Sequence, residues 1–196
     1  MALTDESVSP HHTEPVLILL PPSEKKSELP GPAIEVYTGV LYAALGWSTL
    51  TKAQQQLGQS CIAIISAKYG VVRPLAPIEP YKEKMNNKKM AGQVSQVLDG
   101  AESELIIDCR SSTYQGVWQS PVAITVEIKV FTKTDGVKKV ITHMSKKSRG
   151  EVTHHILKST KVPTNPHELE VIISQKFECE LIEGDEKNPW VLEVYC

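Results

Sequence analysis

The chain has 196 residues, 41% hydrophobic and 22% charged, with 21 Lys and Arg against 23 Asp and Glu and a formal net charge of −2. That is the composition of an ordinary globular domain, and it excludes a surface that is basic all over, as general nucleic-acid or membrane adhesion would need; a local basic patch stays open, because patches rather than totals make fields. The four cysteines, Cys61, Cys109, Cys179 and Cys196, are scattered without a CxxC, so they read as buried or incidental thiols rather than a disulfide framework or a metal site.

Residues 1–14 are polar and acidic, with no basic start before an apolar stretch. They read as a disordered lead-in rather than a secretory signal, and 15–196 as one domain expected in the cytoplasm. The longest apolar run, Val16 to Leu20, is too short to cross a bilayer. PVLILL over 15–20 is a continuous apolar run, the pattern of a strand covered on both faces. Pro21-Pro22 ends it in the loop PPSEKKSELPGP. From Glu35 to Trp47 the spacing of Val36, Val40, Leu41, Ala44 and Trp47 predicts a helix. A second helix is expected from Ser48 or Thr49 to Gly58, and CIAIIS over 61–66 is the next buried strand.

The segment 67–90 reads as a long irregular loop, followed by a helix over 92–98 and a third buried strand, ELIIDC, over 104–109. Then the pattern changes. VAITVEIKVF over 122–131 alternates, Asp135-Gly136 supplies a turn, and VKKVITHM returns as the partner strand of a hairpin. SKKSRG stands just before the helix EVTHHILKS, a last helix covers HELEVIISQKF, and FECELIE and WVLEVYC are closing strands. The fold class is therefore α/β with mixed character: a single domain around a central mixed sheet flanked by helices, with parallel strands in the first half and an antiparallel hairpin plus closing strands in the second.

Three buried strands run into polar loops: PPSEKK, SAKYGVVRP and RSSTYQGVW. If the strands are parallel neighbours, the loops converge beyond their carboxyl ends, where open α/β sheets bind ligands. They would gather Ser23, Glu24, Lys25 and Lys26, then Lys68, Tyr69, Gly70, Arg73 and Tyr81, then Arg110, Ser111 and Tyr114. Arg, Lys and hydroxyls suit a small anion such as phosphate. Solvated loop ends, with Arg73 and Arg110 paired to carboxylates, are the other reading of the same residues. A second basic cluster comprises Lys138, Lys139, Lys146, Lys147 and Arg149, suited to phosphate backbone or to a plain solvated face. His154 and His155 point about 100° apart on one helix and do not chelate one ion, and neither they nor His143 make a metal site; no metal or cofactor is expected. No P-loop, GxGxxG, HExxH or catalytic triad order occurs, and whether the chain is an enzyme stays open.

Five segments in order, VLILLPPSEKK, VYTGVLYAAL, SAKYGVVRPLAPIEPY, ELIIDCRSSTYQGVW and VITHMSKKSRGEV, resemble the YaaA family of peroxide-stress proteins over about residues 16–160. PPSEKK looks like the spelling of its actinobacterial branch. The resemblance implies a cytosolic protein that limits oxidative damage under hydrogen peroxide, with an effect on intracellular iron. It also implies a mixed α/β fold with a positively charged cleft and DNA as a partner. Carried onto matching positions, the family's characteristic residues are Pro22, Ser23, Glu24 and Lys26, then Tyr37, Thr38 and Gly39. Tyr69, Gly70, Arg73, Pro74 and Tyr81 follow, then Asp108, Ser111 and Tyr114, then Lys147 and Gly150. The chain departs from the pattern between the first loop and YTG, where family members have a long helical segment and this chain has only SELPGPA. An enzyme or sensor acting on a small phosphorylated or nucleobase ligand is the alternative reading of the three-loop pocket.

Overall fold

The computed structural model describes residues 15–196 apart from 102, 122, 135, 136 and 141; the lead-in, the Asp135-Gly136 turn and the side chain of His143 lie outside the described residues. In chain order, β1 (Val16–Leu20), β2 (Gly31–Pro32), α1 (Ala33–Val36) and α2 (Val40–Leu45) are followed by a 3-10 turn, Trp47–Thr49. Next come α3 (Lys52–Cys61), β3 (Ile62–Ser66), β4 (Gly70–Val72), β5 (Pro77–Ile78), α4 (Asn87–Leu98) and β6 (Leu105–Asp108). The remainder is α5 (Ser112–Gln115), β7 (Ile124–Thr134), β8 (Val137–Lys139), α6 (Thr142–Lys158), α7 (Pro166–Ser174), β9 (Glu178–Ile182) and β10 (Trp190–Tyr195).

Among the described residues one sheet runs in the order β4-β3-β1-β6-β7-β10-β9, with β8 paired to the far end of β7. The three apolar runs are adjacent and parallel: Ile18 pairs with Ile62 on one side and Ile107 on the other. Burial on both faces explains why β1, β3 and β6 are apolar without alternation. On one face Ile18, Leu20, Ile64 and Ile107 pack under the α2, α6 and α7 side chains Leu45, Ile156 and Leu169. On the other, Leu19, Ala63, Ile65 and Ile106 meet Met90, Val94 and Leu98 of α4. The second half is mixed, as its patterns require. β10 pairs antiparallel with β9 but parallel with β7, so β6, β7 and β10 extend the parallel part further than the hairpin reading implied. β7 buries Val126, Ile128 and Val130 on one face, while Ile124 at its start is exposed.

Several expected elements shift. The helix expected over 35–47 is broken into α1 and α2 at Tyr37-Thr38-Gly39, because Tyr37 leaves the helix to bridge Lys26. The next helix begins at Lys52, where Thr51 and Gln54 form a reciprocal capping box, and it runs past Gly58 to Cys61. The segment 67–90 is not wholly irregular: β4 folds back antiparallel on β3, and β5 pairs with β2. Gly70, at φ +75, makes that reversal, a conformation costly for residues with a Cβ. Most consequentially, α6 starts at Thr142, so Ser145–Gly150 lies inside the helix and not ahead of it. The helix N-terminus therefore stands at Thr142, ahead of that basic cluster rather than after it.

Candidate functional site

The carboxyl ends of β3, β1 and β6 lie side by side, and their loops converge. The first loop is held against the YTG corner by backbone bonds from Ser27 N–H to Val36 O (2.8 Å) and Thr38 N–H to Lys25 O (3.1 Å). Gly39 lets the corner close: a Cβ there would stand 2.3 Å from Ser23 Oγ. Tyr42, on α2, donates its hydroxyl to Pro21 O at 2.7 Å and fixes the Pro-Pro bend from the other side.

The second loop is pinned by a buried hydroxyl chain. Ser66, the last residue of β3, accepts from Lys68 N–H (3.3 Å) and Tyr69 N–H (3.1 Å) and donates to the Tyr81 hydroxyl (2.9 Å). Tyr81 also accepts from Ala67 N–H (3.3 Å), which leaves its own proton for the Tyr37 hydroxyl at 2.9 Å. Tyr37 is 1% exposed and Tyr81 8%. Burial pushes the Tyr37 phenol far above its ordinary range, so it stays neutral and acts as a hydrogen-bonding strut. Lys26 stacks its ammonium 4.1 Å from the Tyr81 ring centre and donates to Ser23 O at 2.8 Å. Burial lowers its pKa, with Glu83 and Glu24 opposing that effect. Tyr69 accepts Glu79 N–H (3.2 Å) and closes the Pro-rich stretch. Arg73 points to the opposite end of the sheet, where one guanidinium nitrogen donates to Ser60 O and Ile62 O, both at 3.0 Å. It fastens α3 to β3 rather than joining the loops.

The third loop is built around a buried ion pair. Arg110, 1% exposed, donates from Nε and Nη2 to the two Asp108 carboxylate oxygens, each at 2.9 Å. It also reaches Tyr114 O (3.1 Å) and Trp118 O (2.8 Å). Four of its five donors are thus committed within the loop, so Arg110 shapes the site without facing it. Holding the Tyr114 carbonyl fixes where the half-buried Tyr114 phenol stands; burial raises the pKa of that phenol.

Between the first and third loops, α2, β7 and α6 enclose a cleft of about 1070 Å³. Of the residues singled out from the sequence, Ser23, Glu24, Lys25 and Thr38 line one side, and Ser111 and Tyr114 a second. Lys146 and Arg149 of α6 line a third. The two basic elements that looked separate therefore share one cavity. Arg149 is oriented by a bond from Nε to Ile128 O at 3.2 Å. Lys26, Tyr37, Tyr69, Gly70 and Tyr81 form the supporting structure and are not among the lining residues.

The remaining basic candidates are placed elsewhere. Lys138 pairs with Glu193, Lys147 pairs with Glu151 one helical turn on (3.5 Å), and Lys139 is exposed on β8. Sequence reasoning missed Lys129, Thr113 and Val40, which also line the cleft. Lys129 had a signal, since the alternation of β7 places it on the polar face. His154 and His155 each bond a backbone carbonyl on a different element, Leu45 O (2.7 Å) and Ile172 O (2.9 Å), which ties α6 to α2 and α7. Cys109 is buried, with its thiol pushed up to about 12 by that burial, and is unsuited to act as a nucleophile.

Residues 16–180 match the family model described as peroxide stress protein YaaA. A UPF0246 protein of Corynebacterium efficiens is 34% identical over 151 residues, covering 70% of this chain and 59% of that protein. UPF0246 proteins of Streptomyces coelicolor, 29% identical over 179 residues, and Clostridioides difficile, 30% over 152, match 83% and 70% of this chain. They are covered to 68% and 61% of their own lengths, so this chain spans about three fifths to two thirds of these three relatives. Among the described residues no helix is long and apolar enough to cross a membrane.

Proposed function

The chain belongs to the peroxide stress protein YaaA family, and on that premise we propose that it limits oxidative damage under hydrogen peroxide, with an effect on intracellular iron, by associating with DNA through the cleft. One observation carries the reading. Lys25, Lys129, Lys146 and Arg149 come from three separate parts of the chain and line one opening against, among the described residues, a single lining carboxylate, Glu24, in a protein of net charge −2. Lys129 is partly neutralised by Glu127 at 3.2 Å; Lys146 is exposed on α6. Concentrating cations in one concavity of an acidic molecule makes a local field that attracts phosphate, and it does so without a basic surface overall.

The reading predicts a salt-dependent interaction. For a short duplex, log K should fall linearly with log salt, and replacing Lys146 and Arg149 together by Ala should lower the slope by about 2, at about 0.9 per lost phosphate contact. Lys147→Ala, which removes a cation already facing Glu151, should leave affinity within about twofold by the same rule. Fluorescence anisotropy between low and moderate salt measures both. Wild-type affinity indifferent to salt, or a double variant with an unchanged slope, would sink the DNA reading.

A further inference from the structure

The rim cations account for only part of this cleft. Apolar residues also line it: Pro22 of the first loop, Val40, Tyr42 and Ala43 of α2, Ile128 of β7, and Val140. Duplex phosphate has no use for such a lining. The hydroxyl-bearing residues Ser111, Ser112 and Thr113 and the amide of Gln115 stand beside the half-buried Tyr114, and the cations of β7 and α6 lie across from α2. At about 1070 Å³ the space lies just above the ~300–1,000 Å³ range of clefts that hold small ligands.

We infer that the cleft is a binding site for a small phosphorylated nucleobase ligand of the nucleoside monophosphate class. The planar base lies against the apolar lining beside Tyr114, and the phosphate meets Lys146 and Arg149. The Ser111–Thr113 hydroxyls and Glu24 are placed to hydrogen-bond sugar or base edges. A nucleoside satisfies the apolar lining without the cations, and inorganic phosphate satisfies the cations without the apolar lining. Only the joined molecule uses both. The inference uses the same cleft as the DNA reading but does not rest on DNA being the partner.

Calorimetric titration of the full chain with AMP, UMP, adenosine and inorganic phosphate tests it. At least one monophosphate should bind tenfold or more tightly than both adenosine and phosphate. Ala43→Trp fills the recess from an exposed helix position and should weaken that ligand at least tenfold. Tyr114→Ala, which keeps the carbonyl that Arg110 holds, should weaken it similarly. Phosphate binding as tightly as the nucleotides, no binding by any of the four, or nucleotide binding unchanged in both variants would overturn the inference. Loss of duplex binding with nucleotide binding retained would remove the DNA reading and leave this one standing.

Discussion

Asp108→Ala should unfold the protein at ordinary growth temperature or bring it close to unfolding. The substitution leaves the Arg110 guanidinium charged, 1% exposed and without its carboxylate. Breaking one partner out of a buried pair costs about 3–5 kcal/mol, a large share of the roughly 5–15 kcal/mol that holds a domain together. Replacing both partners with apolar residues of similar volume often restores stability elsewhere, but not here. Arg110 also supplies the donors to Tyr114 O and Trp118 O. Asp108→Leu with Arg110→Met should therefore stay below wild type, by about 1–3 kcal/mol for each buried carbonyl left without a partner. Urea unfolding of the single and double variants measures the difference. A double variant as stable as wild type would show that the ion pair is dispensable and that the third loop is held by something else.

Gly150→Ala is the second large effect. Gly150 lies inside α6 where it crosses α2, and a Cβ there would stand 2.1 Å from Leu41 O and 3.0 Å from Ala44 Cβ. The nearer atom is backbone, so no rotamer change relieves the overlap and the two helices must separate. Overpacking costs about 1–3 kcal/mol or more, against about 1 kcal/mol gained from replacing Gly by Ala within a helix. The contact to a main-chain oxygen places this site at the upper end, so we expect a net loss of about 2 kcal/mol. Gly92 of α4 is the control: nothing lies within 4 Å of its Cβ position, and Ala there should stabilise by about 0.5–1 kcal/mol. The same separation moves Lys146 and Arg149 away from the α2 side of the cleft, so ligand affinity should fall with stability. A Gly150→Ala protein at least as stable as wild type would contradict this account of how α2 and α6 meet.

The central strands were legible because burial on both faces leaves an unmistakable mark: VLILL, IAIIS and LIID have no polar residue until their ends. From there the convergence of three loops followed from the parallel order alone. β4 and β5 were not legible: β4 is three residues folded straight back on β3, and β5 is two residues in a Pro-rich stretch whose partner, β2, lies in the first loop. The break at Tyr37-Thr38-Gly39 was hidden because Val36, Tyr37, Leu41 and Tyr42 are all buried, so apolar spacing continues across it. The start of α6 was obscured by VITHM, whose alternation reads equally as strand.

Site residues divided along a different line. Arg73, Arg110 and Arg149 are the same residue type at equally polar positions. One holds carbonyls at the far end of the sheet, one holds a buried carboxylate, and one lines the cleft. Which partner an arginine finds is settled by three-dimensional distance. The pairing of Arg110 with a carboxylate was one of the two readings its sequence context allowed, and Asp108 two residues away is that carboxylate. Tyr37 and Tyr81 are 44 residues apart in sequence, and their hydroxyl contact had no local signal.

Whether peroxide protection runs through the cleft is read from survival under hydrogen peroxide. A strain lacking its own copy would carry wild type or the Lys146→Ala, Arg149→Ala double variant, with equal soluble expression and equal thermal unfolding confirmed for both proteins. Wild type should restore survival, and the double variant should not. Full protection by the double variant would place the function outside the cleft.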